Sequence, residues 1–145
     1  YVAGDYKVAN IGGSYNFGFL KLMGQYGTNE VTNVTKWKTG LIGLTAPLGQ
    51  GELRFDVAQT KVDNLIPVVP APYSTYAVAD GKATQFGIGY VYNLSKRTAA
   101  YAHYVHIKNR DGARFEANTN GLVSPTLNTA GGKSTGYEFG VRHSF

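Results

Sequence analysis

In Gly136-Tyr137-Glu138-Phe139-Gly140-Val141-Arg142-His143-Ser144-Phe145, the residues Tyr137, Phe139, Val141, His143 and Phe145 fall on every second position. Glu138, Gly140, Arg142 and Ser144 fall between them. A period of two sends alternate side chains to opposite faces of a β-strand, whereas a helix would scatter these rings around its axis. One face is therefore aromatic and apolar along its length, and the other is small or charged. Carried back to Ser134, the alternation predicts a strand over 133–145. Strands in soluble sheets are usually about five or six residues long.

The same period recurs upstream. Residues 5–15 set Ala9, Ile11, Gly13 and Tyr15 against Val8, Asn10, Gly12 and Ser14. Residues 19–27 set Leu20, Leu22 and Tyr26 against Lys21, Met23 and Gln25. Ile42, Leu44 and Ala46 align within 37–47, and 51–59 sets Leu53, Phe55 and Val57 against Glu52, Arg54 and Asp56. Phe86, Ile88, Tyr90 and Tyr92 alternate with Gln85, Gly87, Gly89 and Asn93 over 84–94. Over 98–108, Tyr101, Val105 and Ile107 are expected on the apolar side, opposite Tyr104, His106 and Lys108. No stretch has a helical period.

The connections add to this. Short turns are expected at 16–18, 48–50 and 95–97, and longer polar ones at about 28–36, 60–83 (with Pro67, Pro70 and Pro72) and 109–132. Short and long alternate, as in an up-and-down antiparallel sheet whose turns lie at one end and whose loops lie at the other. Strands of about 9–11 residues suit a tilted crossing of a bilayer. A soluble sandwich or lipocalin-like barrel also alternates, but its second face is not small, glycine-rich and sparsely charged as a wet lumen would be. Tyr15, Tyr26, Tyr92, Tyr101 and Tyr137 are expected near strand ends on the apolar side, where interfacial girdles place amphipathic rings.

Composition excludes several classes. The chain has 145 residues, 19 of them Gly and none Cys, with 16% charged residues. Without cysteine there is no disulfide scaffold, thiolate metal site or cysteine nucleophile. No apolar run is long enough for a membrane helix. Tyr1-Val2-Ala3-Gly4-Asp5 does not resemble a signal peptide, and a mature chain or a piece of a longer one is expected. The net charge is +5, yet Lys96-Arg97 is the only adjacent basic pair, so no nucleic-acid partner is expected.

Chemistry fares no better. Glu52 and Asp56 share a face but stand roughly 13 Å apart along a strand; paired glycosidase carboxylates are about 5–9.5 Å apart. His103 and His106 fall on opposite faces and cannot share a metal. Gly87-Ile-Gly89 lacks the third glycine and helix of a dinucleotide fingerprint. No catalytic residue, metal or cofactor is expected.

The terminal strand resembles that of Gram-negative outer-membrane proteins, and in detail the general porins of β-proteobacteria. Asn10-Ile-Gly-Gly-Ser-Tyr-Asn-Phe-Gly18 with Lys21-Leu-Met-Gly-Gln-Tyr26, and Gly87-Ile-Gly-Tyr-Val-Tyr-Asn-Leu-Ser-Lys-Arg-Thr98, are similar to that family's strand–turn–strand pattern. The resemblance covers essentially the whole chain and implies an all-β transmembrane barrel of 16 strands, trimeric and water-filled. This chain is then expected to supply about the last seven strands, the N-terminal strands being absent, in one barrel domain over 1–145.

The resemblance also implies the partners: outer-membrane lipid, two further copies in a homotrimer, the barrel-assembly machinery, and small hydrophilic solutes and ions. Tyr137, Phe139, Val141 and Phe145 would form the assembly signal. Lys21, Arg54, Lys108 and Arg142, with Glu52, Asp56 and Glu138, would line the pore. Four basic residues against three acidic ones imply a weak anion preference in a general-diffusion channel of the cell outer membrane. The alternative is a small structural or adhesive outer-membrane barrel without an open pore. Its filled interior would need large interlocking side chains where this sequence has Gly12, Ser14, Gly87, Gly89, Gly136 and Gly140.

Overall fold

The computed structural model describes residues 5–64, 80–117 and 130–145. They form one antiparallel sheet of seven strands in chain order. The strands are β1 (Tyr6–Asn16), β2 (Lys21–Val31), β3 (Thr35–Leu48), β4 (Gly51–Asn64), β5 (Gly81–Asn93), β6 (Thr98–Asp111) and β7 (Lys133–His143). Each strand pairs only with its neighbours in sequence, so the path is up-and-down and β1 and β7 are the two edges.

Local chemistry sets the tight turns. Gly49 and Gln50 join β3 to β4, with Gly49 at φ +60°, the first-position glycine that a II′ hairpin favours. Between β1 and β2 the Phe17 N–H donates to the Leu20 carbonyl at 2.8 Å, while the Asn16 side chain accepts from the Gly18 N–H at 2.9 Å. Between β5 and β6 the Ser95 hydroxyl oxygen accepts from the Arg97 and Thr98 N–H groups.

One connection departs from expectation. The long polar loop expected over 28–36 is a tight turn of residues 32–34, because Thr28–Val31 and Thr35–Lys36 continue the β2–β3 ladder. Asn33 takes the left-handed conformation (φ +63°), which its short polar side chain tolerates. The polar run thus marks the wet end of two strands rather than a loop. For the same reason β3 and β4 reach 14 residues each. The loop prolines Pro67, Pro70 and Pro72, and the N-terminal Tyr1, lie outside the described residues.

The register sorts side chains onto two faces. On one, Tyr15, Leu22, Leu44, Phe55, Ile88, Tyr104 and Tyr137 stand directly opposite one another in a single row across all seven strands. Phe55 and Phe86 meet edge-on with ring centroids 5.0 Å apart, and the tilted rings of Tyr104 and Tyr137 stand 5.2 Å apart. Nothing among the described residues covers this face: Ile11 is 74% and Phe139 76% exposed. A soluble fold of this size would not leave so large an apolar surface in water. The other face carries Asn, Thr, Gln, Gly and charged residues with scattered apolar ones.

Two expectations for β6 are reversed by the register. Tyr101 pairs with Val91 and Gly140, which puts it on the polar face rather than in the aromatic girdle. Lys108 pairs with Thr84 and Lys133, on the aromatic face, so it does not join the polar wall. Tyr104 stands on the aromatic face instead, between Ile88 and Tyr137. The odd residues of β6 are the more apolar by count, but alanines (Ala100, Ala102) on the even side leave the outward surface to Tyr104.

Candidate functional site

The polar face is the part of the chain able to meet water and solute. The register gathers residues from seven strands into one lateral row: Asn16, Lys21, Thr45, Arg54, Gly89, His103 and Glu138. Lys21, Arg54 and Glu138 were legible as candidates from the alternation alone; His103 was not, because its strand was oriented the wrong way. Glu52, Asp56 and Arg142 also lie on this face, as expected.

The wall charges are partly tied down. Arg54 Nε donates to Glu52 Oε1 at 2.7 Å, two residues away on β4. Asp56 lies over Gly87 and accepts from the Gln85 amide at 3.4 Å. Glu138 accepts from the Tyr101 hydroxyl at 3.1 Å and stands 3.9 Å from His103 Nδ1. Lys21 and Arg142 have no ion pair among the described residues, so their ammonium and guanidinium groups face open solvent. With Lys108 on the opposite face, the described strands set Lys21, Arg54 and Arg142 against Glu52, Asp56, Glu138 and Asp111. That balance gives this wall no net positive field.

Glycines make room for the large side chains of their neighbours. Tyr101 lies across Gly140, and His103 across Gly89; a Cβ at either glycine would collide with the ring. We expect Gly140→Val to displace Tyr101, break its bond to Glu138 and cost about 1–3 kcal/mol. Urea unfolding in detergent measures this, and Tyr101→Ala in the same chain should recover most of the loss. Unchanged stability of Gly140→Val would remove this role from the pair.

After β6 the chain turns back over the polar face. Asn109, 1% exposed, donates its side-chain amide to the Phe115 carbonyl at 2.9 Å and accepts from the Phe115 N–H at 2.8 Å. Ala117 N–H donates to the Ser134 hydroxyl at 3.1 Å. Residues 113–117 thus lie against Gly81 and Gly136, and Ile107 on the same face is buried. A recess of about 240 Å³ opens beside them, lined by His103, Glu116 and Glu138 among others.

The aromatic face ends in rings at both borders. Tyr26, Tyr104 and Tyr137 precede the polar strand ends, while Tyr15 and Tyr92 stand near the short turns. The Tyr90 hydroxyl donates to the Leu48 carbonyl (2.7 Å) and that of Tyr92 to the Gln50 side chain (3.0 Å), apolar body on the wall and polar tip on the turn. Phe139 and Val141 lie on this face of β7, and Phe145 follows the strand with its ring 4.9 Å from His143.

The profile of the Gram-negative porin family matches residues 1–112. The chain belongs to that family. It is 32% identical to outer membrane porin protein 32 of Delftia acidovorans over 149 aligned residues, covering 99% of this chain and 38% of the relative. Its fold superposes on the anion-selective porin from Comamonas acidovorans with a TM-score of 0.77 at 30% identity, covering 97% of this chain and 39% of that one. The porin strands described here therefore span about two fifths of the length of these relatives. Family and relatives place the chain in the outer membrane, and the seven-stranded sheet is part of a porin barrel wall.

Proposed function

We propose that this chain forms part of the wall of a general-diffusion porin, a passive channel for small hydrophilic solutes and ions. The observation that carries the proposal is the two-faced sheet: an uncovered aromatic surface on one side and a glycine-rich, charged wall on the other. A closed hydrogen-bonded barrel is the only way such strands can stand in lipid. In this reading Lys21, Glu52, Arg54, Asp56, Glu138 and Arg142 line the pore, joined by Tyr101 and His103. Tyr15, Tyr26, Tyr92, Tyr104 and Tyr137 form the girdles. Tyr137, Phe139, Val141 and Phe145 present the assembly signal to the barrel-assembly machinery. About nine further strands close the barrel, as in the 16-stranded members of the resembling family, and three barrels form a trimer.

The Comamonas porin is named anion-selective. We propose the same preference here, carried by groups outside these seven strands, since the described wall sets three basic groups against four acidic ones. Planar-bilayer recording of the protein carrying these strands should give ohmic unit steps. Lys21→Glu should raise the cation-to-anion permeability ratio about twofold, because a free wall charge biases ion passage. A zero-current potential unmoved by Lys21→Glu would take Lys21 off the conducting wall. A folded, detergent-stable barrel that never conducts would favour the plugged-barrel alternative.

A further inference from the structure

The aromatic face does not run to the strand ends. Beyond Tyr26, Phe86, Tyr104 and Tyr137, toward the connections over 65–79 and 112–132, it becomes charged. The outermost row is Lys7, Glu30, Lys36 and Asp63, directly opposite one another on β1 to β4. Its signs alternate, and Lys36 Nζ stands 2.6 Å from Glu30 Oε2. That row neutralises itself.

The adjoining row, one step nearer the apolar band, does not. Lys38, Lys61, Lys82 and Arg110 stand directly opposite one another on β3, β4, β5 and β6, with no carboxylate in the row. In the next row Lys108 faces Lys133. Asp63 serves Lys61 at 2.7 Å and Lys38 at 3.8 Å. Lys82, Lys108, Arg110 and Lys133 have no ion pair among the described residues. Strands are spaced about 4.8 Å apart, and like charges directly opposite destabilise a sheet. A counter-charge from outside the chain would relieve this row.

Where the row lies says what that counter-charge is. Lys82 is four residues beyond Phe86 on the same face of β5, roughly 13 Å along the strand. With the aromatic face in hydrocarbon, these cations reach the headgroup level. We propose that Lys82 and Arg110, flanked by Lys38, Lys61, Lys108 and Lys133, bind the phosphate of anionic lipids in the leaflet at the long-loop end. The proposal rests on the aromatic face being the lipid-facing one. A lipid suits the site better than a free anion, because Phe86, Ile88, Tyr104 and Tyr137 just below it offer an apolar wall for acyl chains.

The test reconstitutes the porin carrying these strands into phosphatidylcholine nanodiscs containing a minority of phosphatidic acid. Lipids retained after mild detergent extraction are counted by mass spectrometry. Near a membrane each cation contributes about 1 kcal/mol of attraction, so Lys82→Gln with Arg110→Gln should lower phosphatidic acid enrichment by at least about tenfold. Lys36→Gln, in the self-neutralised row, should leave enrichment unchanged.

Equal enrichment in the double variant overturns the proposal, as does an equal loss with Lys36→Gln, which would mean net charge alone matters. Release by inorganic phosphate as readily as by phosphatidic acid would make this a free-anion site and overturn the lipid source. Crosslinking of Lys82 to a second polypeptide in the native membrane, in place of retained lipid, would also overturn it. Unit conductance is recorded in parallel. A conducting protein without enrichment sinks the lipid site alone, and an enriched protein without conductance sinks the channel reading alone.

Discussion

Refolded by itself into lipid, this 145-residue chain should give no long-lived unitary conductance. β1 and β7 are the edges of the sheet, 11 residues each, and neither has a partner on its outer side among the described residues. Alternate residues of an edge strand point N–H and C=O outward, and in hydrocarbon each unsatisfied group costs several kcal/mol. Two such edges cost on the order of tens of kcal/mol, more than the 5–15 kcal/mol by which folded proteins are usually stable. Planar-bilayer recording checks this directly. Stable steps from the chain alone would mean that its edges find each other or those of a second copy. Denatured mass of the polypeptide in its native membrane tells the cases apart: more than twice 15.6 kDa makes these strands part of a larger barrel.

The second large effect concerns which face meets lipid. Ile88 sits within the aromatic row, between Phe55 on β4 and Tyr104 on β6. Arg or Lys on the lipid face of a barrel near the bilayer midplane costs about 2–4 kcal/mol. Ile88→Arg should therefore lower the stability of the folded barrel by that amount in lipid vesicles. Gln85→Arg, three residues away on the polar face and beside Asp56, should change stability by less than about 0.5 kcal/mol. Reversible urea unfolding in vesicles gives both numbers. The opposite ranking would put the polar face toward lipid and take the pore wall with it.

Much of this is legible in the sequence. Alternation at Leu53, Phe55 and Val57 against Glu52, Arg54 and Asp56 assigned both faces of β4 correctly, because large apolar and charged residues separate cleanly there. The C-terminal pattern did the same for β7, although the family profile ends at residue 112 and the last strand is matched by whole-chain similarity instead. The placement of Tyr15, Tyr26, Tyr92 and Tyr137 on the aromatic face followed from the same alternation. Polarity misled at Thr28–Val31, since a strand emerging from lipid into water becomes as hydrophilic as a loop while keeping its ladder.

The sequence by itself determined the seven described strands, their up-and-down order, three of the tight turns and the faces of six strands. These follow from period-two patterning and turn chemistry, which act between residues near in the chain. Only the tertiary structure decided the orientation of β6, the return of 113–117 over the polar face and the cation row Lys38, Lys61, Lys82 and Arg110. Each depends on register between segments far apart in sequence. Tyr101 turns toward the polar wall because Gly140, on another strand, leaves space for its ring and Glu138 accepts its hydroxyl. A single strand read alone contains neither the glycine that admits a side chain nor the like charge that faces it.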